Sequence, residues 1–153
     1  METTFRDLYN RLVNASLNHE LNKEVRNIED QDDYNPRQLE CLLHPEKQPA
    51  VMNISECRNC RSDEQSACEA DCLFSAIKRD ENGNITVDNS SCTGCQNCID
   101  ACKMQSLVDR KDILPILEIL NSSKAPVYAM IAPAFNGQFT MEVTAGKLRS
   151  AFK

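Results

Sequence analysis

The chain has no surplus of positive charge. It carries 17 Lys and Arg against 23 Asp and Glu, a formal net charge of −6, and its basic residues are scattered. Nucleic acid is therefore not an expected partner, because phosphate binding needs clustered Lys and Arg. A membrane-spanning run is missing too. The longest apolar stretches, Ile113 to Leu120 and Pro126 to Phe135, are each interrupted and fall well short of the roughly 20 residues that cross a bilayer. Met1 to Ser16 is charged and lacks an apolar core of signal-peptide length. Nothing there leads to an oxidising compartment, which disfavours a disulfide framework and makes a cytoplasmic location the expectation. At 153 residues, one domain, or one and a small piece, is expected.

Cysteine is abundant. Eight of the nine fall into two quartets, Cys57-x2-Cys60-x7-Cys68-x3-Cys72 and Cys92-x2-Cys95-x2-Cys98-x3-Cys102. A C-x2-C-x2-C run offers three thiolates to one iron–sulfur cubane, and the cysteine four places after the third reaches the other cluster in two-cluster proteins. The spacing therefore predicts two 4Fe-4S clusters with crossed ligands. Cys57, Cys60, Cys68 and Cys102 would hold the first; Cys92, Cys95, Cys98 and Cys72 would hold the second. Zinc sites use C-x2-C pairs as well, but usually two pairs across a longer spacer, and a third cysteine in such a run adds nothing to a tetrahedral site. Cys41 stands alone on a helical segment and reads as a small core residue. His19 and His44 read as surface or cap residues, the ligand count being complete without them.

The quartets are also halves of a repeat. Cys57 and Cys60 map onto Cys92 and Cys95, Cys68 and Cys72 onto Cys98 and Cys102, and Ala76-Ile77 onto Ser106-Leu107; the first half has extra residues between Arg61 and Ala67. Val51 to Ile54 is expected to pair with a last strand around Ser106 to Val108. Ile77 to Arg79 and Ile85 to Val87 flank Asn82-Gly83, a strong hairpin signal. Gly94, and Asn59 at the equivalent place, suit backbone turned so that amides face cluster sulfur, or simply a turn.

On these residues, 51 to 108 resembles a bacterial two-cluster ferredoxin domain, a small α+β fold with a pseudo-twofold axis. The chain departs from that family in its longer Cys60–Cys68 loop and in having Leu73 and Lys103 where proline follows the fourth cysteine. Neither departure removes a ligand. Beside the ligands, Arg58, Arg61 and Lys103 favour the reduced state, and Asp63, Glu64, Glu69, Asp71 and Asp100 oppose it.

Residues 1–50 read as helices: one capped by Thr3 or Thr4 with Phe5, Leu8, Leu12 and Val13 on a face, an amphipathic one carrying Leu21, Val25 and Ile28, and one from Asn35-Pro36 to Leu43. After the 51–110 module, 111–124 is expected to be a connecting helix broken at Asn121 to Lys124. In 125–153, Val127 to Pro133 reads as a buried parallel-type strand, followed by a loop and a capped helix from Thr144. That strand lacks neighbours, so self-association through it is expected. Ile131-Ala132-Pro133-Ala134-Phe135-x-Gly137-Gln138-Phe139 and Gly146-Lys147-Leu148-Arg149 resemble the opening of the large catalytic domain of iron-only (FeFe) hydrogenases and hydrogenase-like proteins. In that family a two-cluster ferredoxin domain immediately precedes this segment. The fold expectation is thus α+β: a dicluster ferredoxin-like domain, a helical N-terminal extension and the first strand–helix unit of an incomplete α/β domain.

The family's active-site iron cluster is held by cysteines further along, and none follows Cys102. The resemblance therefore implies a chain that carries electrons, has no catalytic residue of its own, and partners a redox protein or the absent catalytic domain. A free-standing ferredoxin-like carrier and a redox-sensing regulatory protein on a hydrogenase-like scaffold are the alternatives.

Overall fold

The computed structural model describes residues 3–57, 65–122, 124, 126–128, 130, 138–140 and 142–151. Two compact units appear, Met1–Ser122 and Ser123–Lys153. The first contains α1 (Phe5–Leu17), α2 (Leu21–Glu29), α3 (Pro36–Leu43), β1 (Val51–Asn53), α4 (Ala67–Ala70), β2 (Ile77–Arg79), β3 (Ile85–Val87), α5 (Asn97–Ala101), β4 (Leu107–Asp109) and α6 (Ile113–Ser122); the second contains α7 (Ala145–Ala151).

α1 begins at a capping box. Thr4 Oγ1 accepts from the Asp7 amide at 3.2 Å, and the Thr4 amide donates to the Asp7 carboxylate at 3.3 Å, satisfying donors the first helical turn leaves free. It ends in a Schellman motif: the His19 amide donates to Ser16 O, the Glu20 amide donates to Ala15 O, and His19 takes φ 58. His19 is thus a surface helix terminator. α3 opens with Asn35 Oδ1 accepting from the Arg37 amide at 3.0 Å and Pro36 in the first turn, where a missing N–H costs nothing.

Leu8, Leu12, Ile28, Leu39 and Leu42 close one apolar core between these helices. α6 belongs to the same core, because Leu114 packs into it and Asn121 Nδ2 donates to Ser16 O at 2.8 Å. The expected connector is therefore a packed fourth helix, and it continues through Asn121 to Ser122. Its Leu114 and Leu117 are buried against a face contributed mainly by residues a hundred positions earlier, which local pattern does not reveal.

β1 pairs antiparallel with β4 in the register Val51↔Asp109, Met52↔Val108, Asn53↔Leu107. β2 pairs antiparallel with β3, Ile77 facing Val87 and Arg79 facing Ile85, with Gly83 at φ 77 in the connecting turn. Each half of the repeat contributes one strand to each ribbon. β1 is buried on both faces. Val51 packs with Cys57, Cys68, Cys98, Ile77, Ile85 and Leu107, while Met52 and Ile54 pack with Cys41, Phe5 and Val108. Cys41 is a core residue, 3% exposed.

In the second unit Thr144 Oγ1 accepts from the Lys147 amide at 3.3 Å and starts α7. Val127, Tyr128 and Met130 are in no strand and are exposed, Met130 fully; the expected buried strand is not formed at these positions, and Ala129, Ile131 and Ala132 lie outside the described residues. An apolar strand of the parallel type needs paired edges and two covered faces, and no strand occurs among the described residues of this unit. No helix among the described residues is long and apolar enough to cross a membrane.

Leu12→Ala removes a fully buried side chain and is expected to cost about 3 kcal/mol, measured by chemical denaturation. A chain ended after Ser122 should keep the denaturation midpoint of the full chain, since the buried apolar clusters among the described residues are built from residues of the first unit; a collapse of that midpoint would show that the second unit is part of the fold.

Candidate metal centre

The thiols gather where the two halves meet. Cys57, Cys68 and Cys98 are buried among Val51, Ile77, Ile85 and Leu107, with Cys72, Cys92 and Cys102 packed against them. Short helices α4 and α5 carry Cys68 and Cys98, and these helices contact each other. Cys72 stands two residues after α4 and Cys102 immediately after α5.

Thiols of both quartets share one recess. A small recess has Cys72, Cys92, Cys95 and Cys98 on its wall, backed by Val51 and Ile77. Burial first, and then the neighbouring thiols of Cys72, Cys92, Cys95 and Cys68, pushes the Cys98 thiol up to about 11. At Cys68, burial raises the thiol, the Ser66 hydroxyl lowers it, and Cys102, Glu69 and Cys57 raise it again. Cys57 and Cys68 share one buried cluster, with Cys102 packed against it. The fourth predicted ligand of that group, Cys60, lies outside the described residues, as do Arg58, Asn59, Arg61, Asp63 and Glu64. Among the described residues no three His, Cys, Asp or Glu side chains converge to hold a single metal ion; the thiols are set around a recess rather than on one point.

Backbone turns aim donors at this region. Ser75 and Gln105 occupy the same place in the two halves, three residues after Cys72 and Cys102. Both take positive φ, 50 and 52, and both amides donate back to the cysteine carbonyl, at 3.1 and 3.0 Å. In the first half the turn brings the Ala76 amide to 3.3 Å from Cys72 Sγ. Burial would raise the Cys72 thiol, yet the amides of Ala76, Phe74, Ile77 and Ser75 outweigh it and hold the group below the usual thiol range. These amides favour the thiolate form of Cys72. Gly94 takes φ 71 in the second loop, as its glycine suggests, and a Cβ there would meet Ala50 Cβ at 3.5 Å.

Two residues near the thiols are absent from the expectations above. Asn53 is buried and its Nδ2 lies 3.5 Å from Cys57 Sγ; its signal was a lone amide side chain inside an otherwise apolar strand. Ser66 is buried with its Oγ 3.3 Å from Cys68 Sγ. It forms a capping box with Glu69, which also pairs with Arg79 Nη2 at 2.9 Å and so ties α4 to β2. The S-x-x-E spacing before Cys68's helix was its signal. Glu69, expected to oppose a negatively charged cluster, is offset by this arginine.

No protein-family model matches the chain, and no solved structure matches it. Over 44 residues it is 43% identical to the thiosulfate reductase electron transfer subunit PhsB of Salmonella typhi. The aligned stretch is 29% of this chain and 23% of that protein, so the chain spans about a quarter of the relative it matches.

Cys41, Cys68 and Cys98 are all raised, chiefly by burial. A folded-state value above the unfolded one favours the fold while the thiol is protonated. That contribution is complete below the unfolded value of about 8.5 and is lost as pH climbs through about 11 for Cys98. Urea midpoints of the metal-free chain are thus expected to fall across that interval, and to fall less steeply in Cys98→Ala; midpoints flat with pH would contradict this.

Proposed function

We propose that the chain transfers electrons through two 4Fe-4S clusters, one held by Cys57, Cys60, Cys68 and Cys102, the other by Cys92, Cys95, Cys98 and Cys72. The observation that carries this reading is the gathering of Cys72 with the second quartet around one recess, which is what crossed ligation requires. The thiol chemistry also fits. Four soft sulfur donors in a half-buried apolar setting suit iron–sulfur clusters, and the amides turned toward Cys72 Sγ are the kind of donor that stabilises an anionic sulfur. A bound cubane would supply one-electron exchange with little rearrangement. The protein's part is to keep the thiolates fixed, largely dry and hydrogen-bonded. Similarity over 44 residues to an electron transfer subunit supports the same class of function.

In its finer form the reading is the relay portion of an iron-only hydrogenase or a hydrogenase-like protein. The sequence of 131 to 139 with Gly146-Lys147-Leu148-Arg149, directly after the eight cysteines, supports it. Coding sequence downstream of Lys153 with the further cysteines of an active-site cluster is its expected companion; a downstream region without them would leave an electron carrier alone.

Anaerobic reconstitution with iron and sulfide should bind eight irons and eight sulfides per chain, two cubanes' worth, with the magnetic coupling of paired reduced clusters in spin-resonance spectra. Cys72→Ser should damage the cluster held mainly by the second quartet, and Cys102→Ser the one held by the first. Zinc without charge-transfer absorption would end the reading, and damage confined to each cysteine's own quartet would end the crossed assignment.

A further inference from the structure

The two halves differ at one position that faces a proposed ligand. Asn53 stands four residues before Cys57, as Asp88 stands four before Cys92. The Asn53 side chain is fully engaged. Its Oδ1 accepts from the Ser55 amide at 3.2 Å, and its Nδ2 donates to Ile85 O at 2.7 Å and to Cys57 Sγ at 3.5 Å. Turning the amide over would set oxygen against the Ile85 carbonyl and N–H against the Ser55 amide, so the network decides which end meets the sulfur. Of the two amide hydrogens one goes to Ile85 O, and the other is left for Cys57. Asn53 is only 7% exposed, so water is a poor competitor for that hydrogen.

At Asp88 the opposite holds. Its carboxylate accepts from the Ser90 amide at 3.0 Å, Ser90 Oγ at 2.6 Å and Lys78 Nζ at 2.8 Å. The ionised group has no hydrogen to give a sulfur. Ser66 does not fill the same role at Cys68, although its Oγ is 3.3 Å from Cys68 Sγ. Its single hydroxyl hydrogen is taken by the Glu69 carboxylate in a short contact, and that carboxylate is also paired with Arg79.

We infer that Asn53 is a positioning residue that raises the reduction potential of the cluster held by Cys57, Cys60, Cys68 and Cys102, while Asp88 at the matching position gives the other cluster no such donor. The inference rests on the two-cluster reading. Its physical basis is that one electron, taken from a reductant such as dithionite, adds negative charge that spreads onto the ligand sulfurs, with no proton moved and no bond broken. A hydrogen bond to Cys57 Sγ stabilises that added charge. Asn53 also joins β1 to β3 across 32 residues, so the same side chain that fixes the seam between halves biases one cluster and leaves the other alone.

The test uses the full chain, reconstituted with iron and sulfide and grown with asparagine labelled with nitrogen-15 only at the side-chain amide. Pulsed spin resonance of the dithionite-reduced protein is expected to show a hyperfine coupling to one labelled nitrogen that persists in Asn59→Ala and Asn97→Ala and disappears in Asn53→Asp. In redox titrations followed by spin resonance, Asn53→Asp and the uncharged Asn53→Leu should both lower one midpoint and leave the other in place. If either variant fails to fold, the coupling in the unmutated chain and its persistence in the other two variants still decide. A chain holding eight irons but showing no such coupling, or a uniform shift of both midpoints, overturns the inference. A chain that binds no iron overturns the cluster reading beneath it.

Discussion

β1 is three residues long and buried on both faces, and the arrangement of the first unit depends on that constraint. Because side chains alternate across a strand, Val51 and Asn53 are turned to the thiols while Met52 and Ile54 are turned to Cys41 and the helices. One strand thus divides a helical core from a cysteine-lined core. Its outer partner β4 is antiparallel and comes from the other end of the repeat, which brings Cys102 and the start of α6 back to the N-terminal helices. Ile54 also donates its amide to Ser106 O, and Ser55 Oγ donates to Ser106 Oγ at 2.7 Å. The helical region is therefore packed cover for the ribbon, not an appendage to it.

The duplication shows in the backbone as well as in the cysteine spacing. Ser75 and Gln105 differ in size and functional group, yet both take a left-handed conformation that disfavours a side chain by roughly 1 kcal/mol or more. Such a cost persists where surrounding structure demands it. Here the demand is to reverse the chain after Cys72 and Cys102 so that Ala76 and Ser106 enter strands facing the thiols. At Cys72 the reversal also delivers several amides to the sulfur. Charge and side-chain donors then separate halves that the backbone keeps alike: the Ser66–Glu69–Arg79 cap and Asn53 serve the first, the Asp88–Lys78 pair the second.

Exposure differs between the groups as well. In the first group Cys57 and Cys68 are buried and Cys102 half-buried; in the second Cys98 is buried, Cys72 and Cys92 are half-buried and Cys95 is exposed. Around that more open group the loop from Asn89 to Asn97 carries no charged residue, and Leu73 is 78% exposed beside it. Solvent exposure and sulfur hydrogen bonds both stabilise added charge, and in the proposed two-cluster protein the second group would have both, the hydrogen bonds coming from the amides at Cys72.

Much of this was legible in the residues themselves. The quartet spacings identify the thiols; alternation and Asn82-Gly83 identify the hairpin; Thr4, Asn35-Pro36 and the spacing of Leu8 and Leu12 identify helices, because caps, turns and apolar periods are local and each leaves its mark within a few positions. Cys41 read as core for the same reason. Other features were decided only by the tertiary structure. α6 looked like a connector because the helix it packs on, α1, lies a hundred residues earlier in the chain. Asn53 looked like an ordinary strand residue because its partners, Ile85 O and Cys57 Sγ, meet it only when the halves close. The apolar run from Val127 resembled a buried strand, but burial is a property of neighbours, and the described residues of the second unit include no strand to pair with it. Local sequence determines what a segment is able to form; which side chains face a sulfur is settled by contacts between segments far apart in the chain.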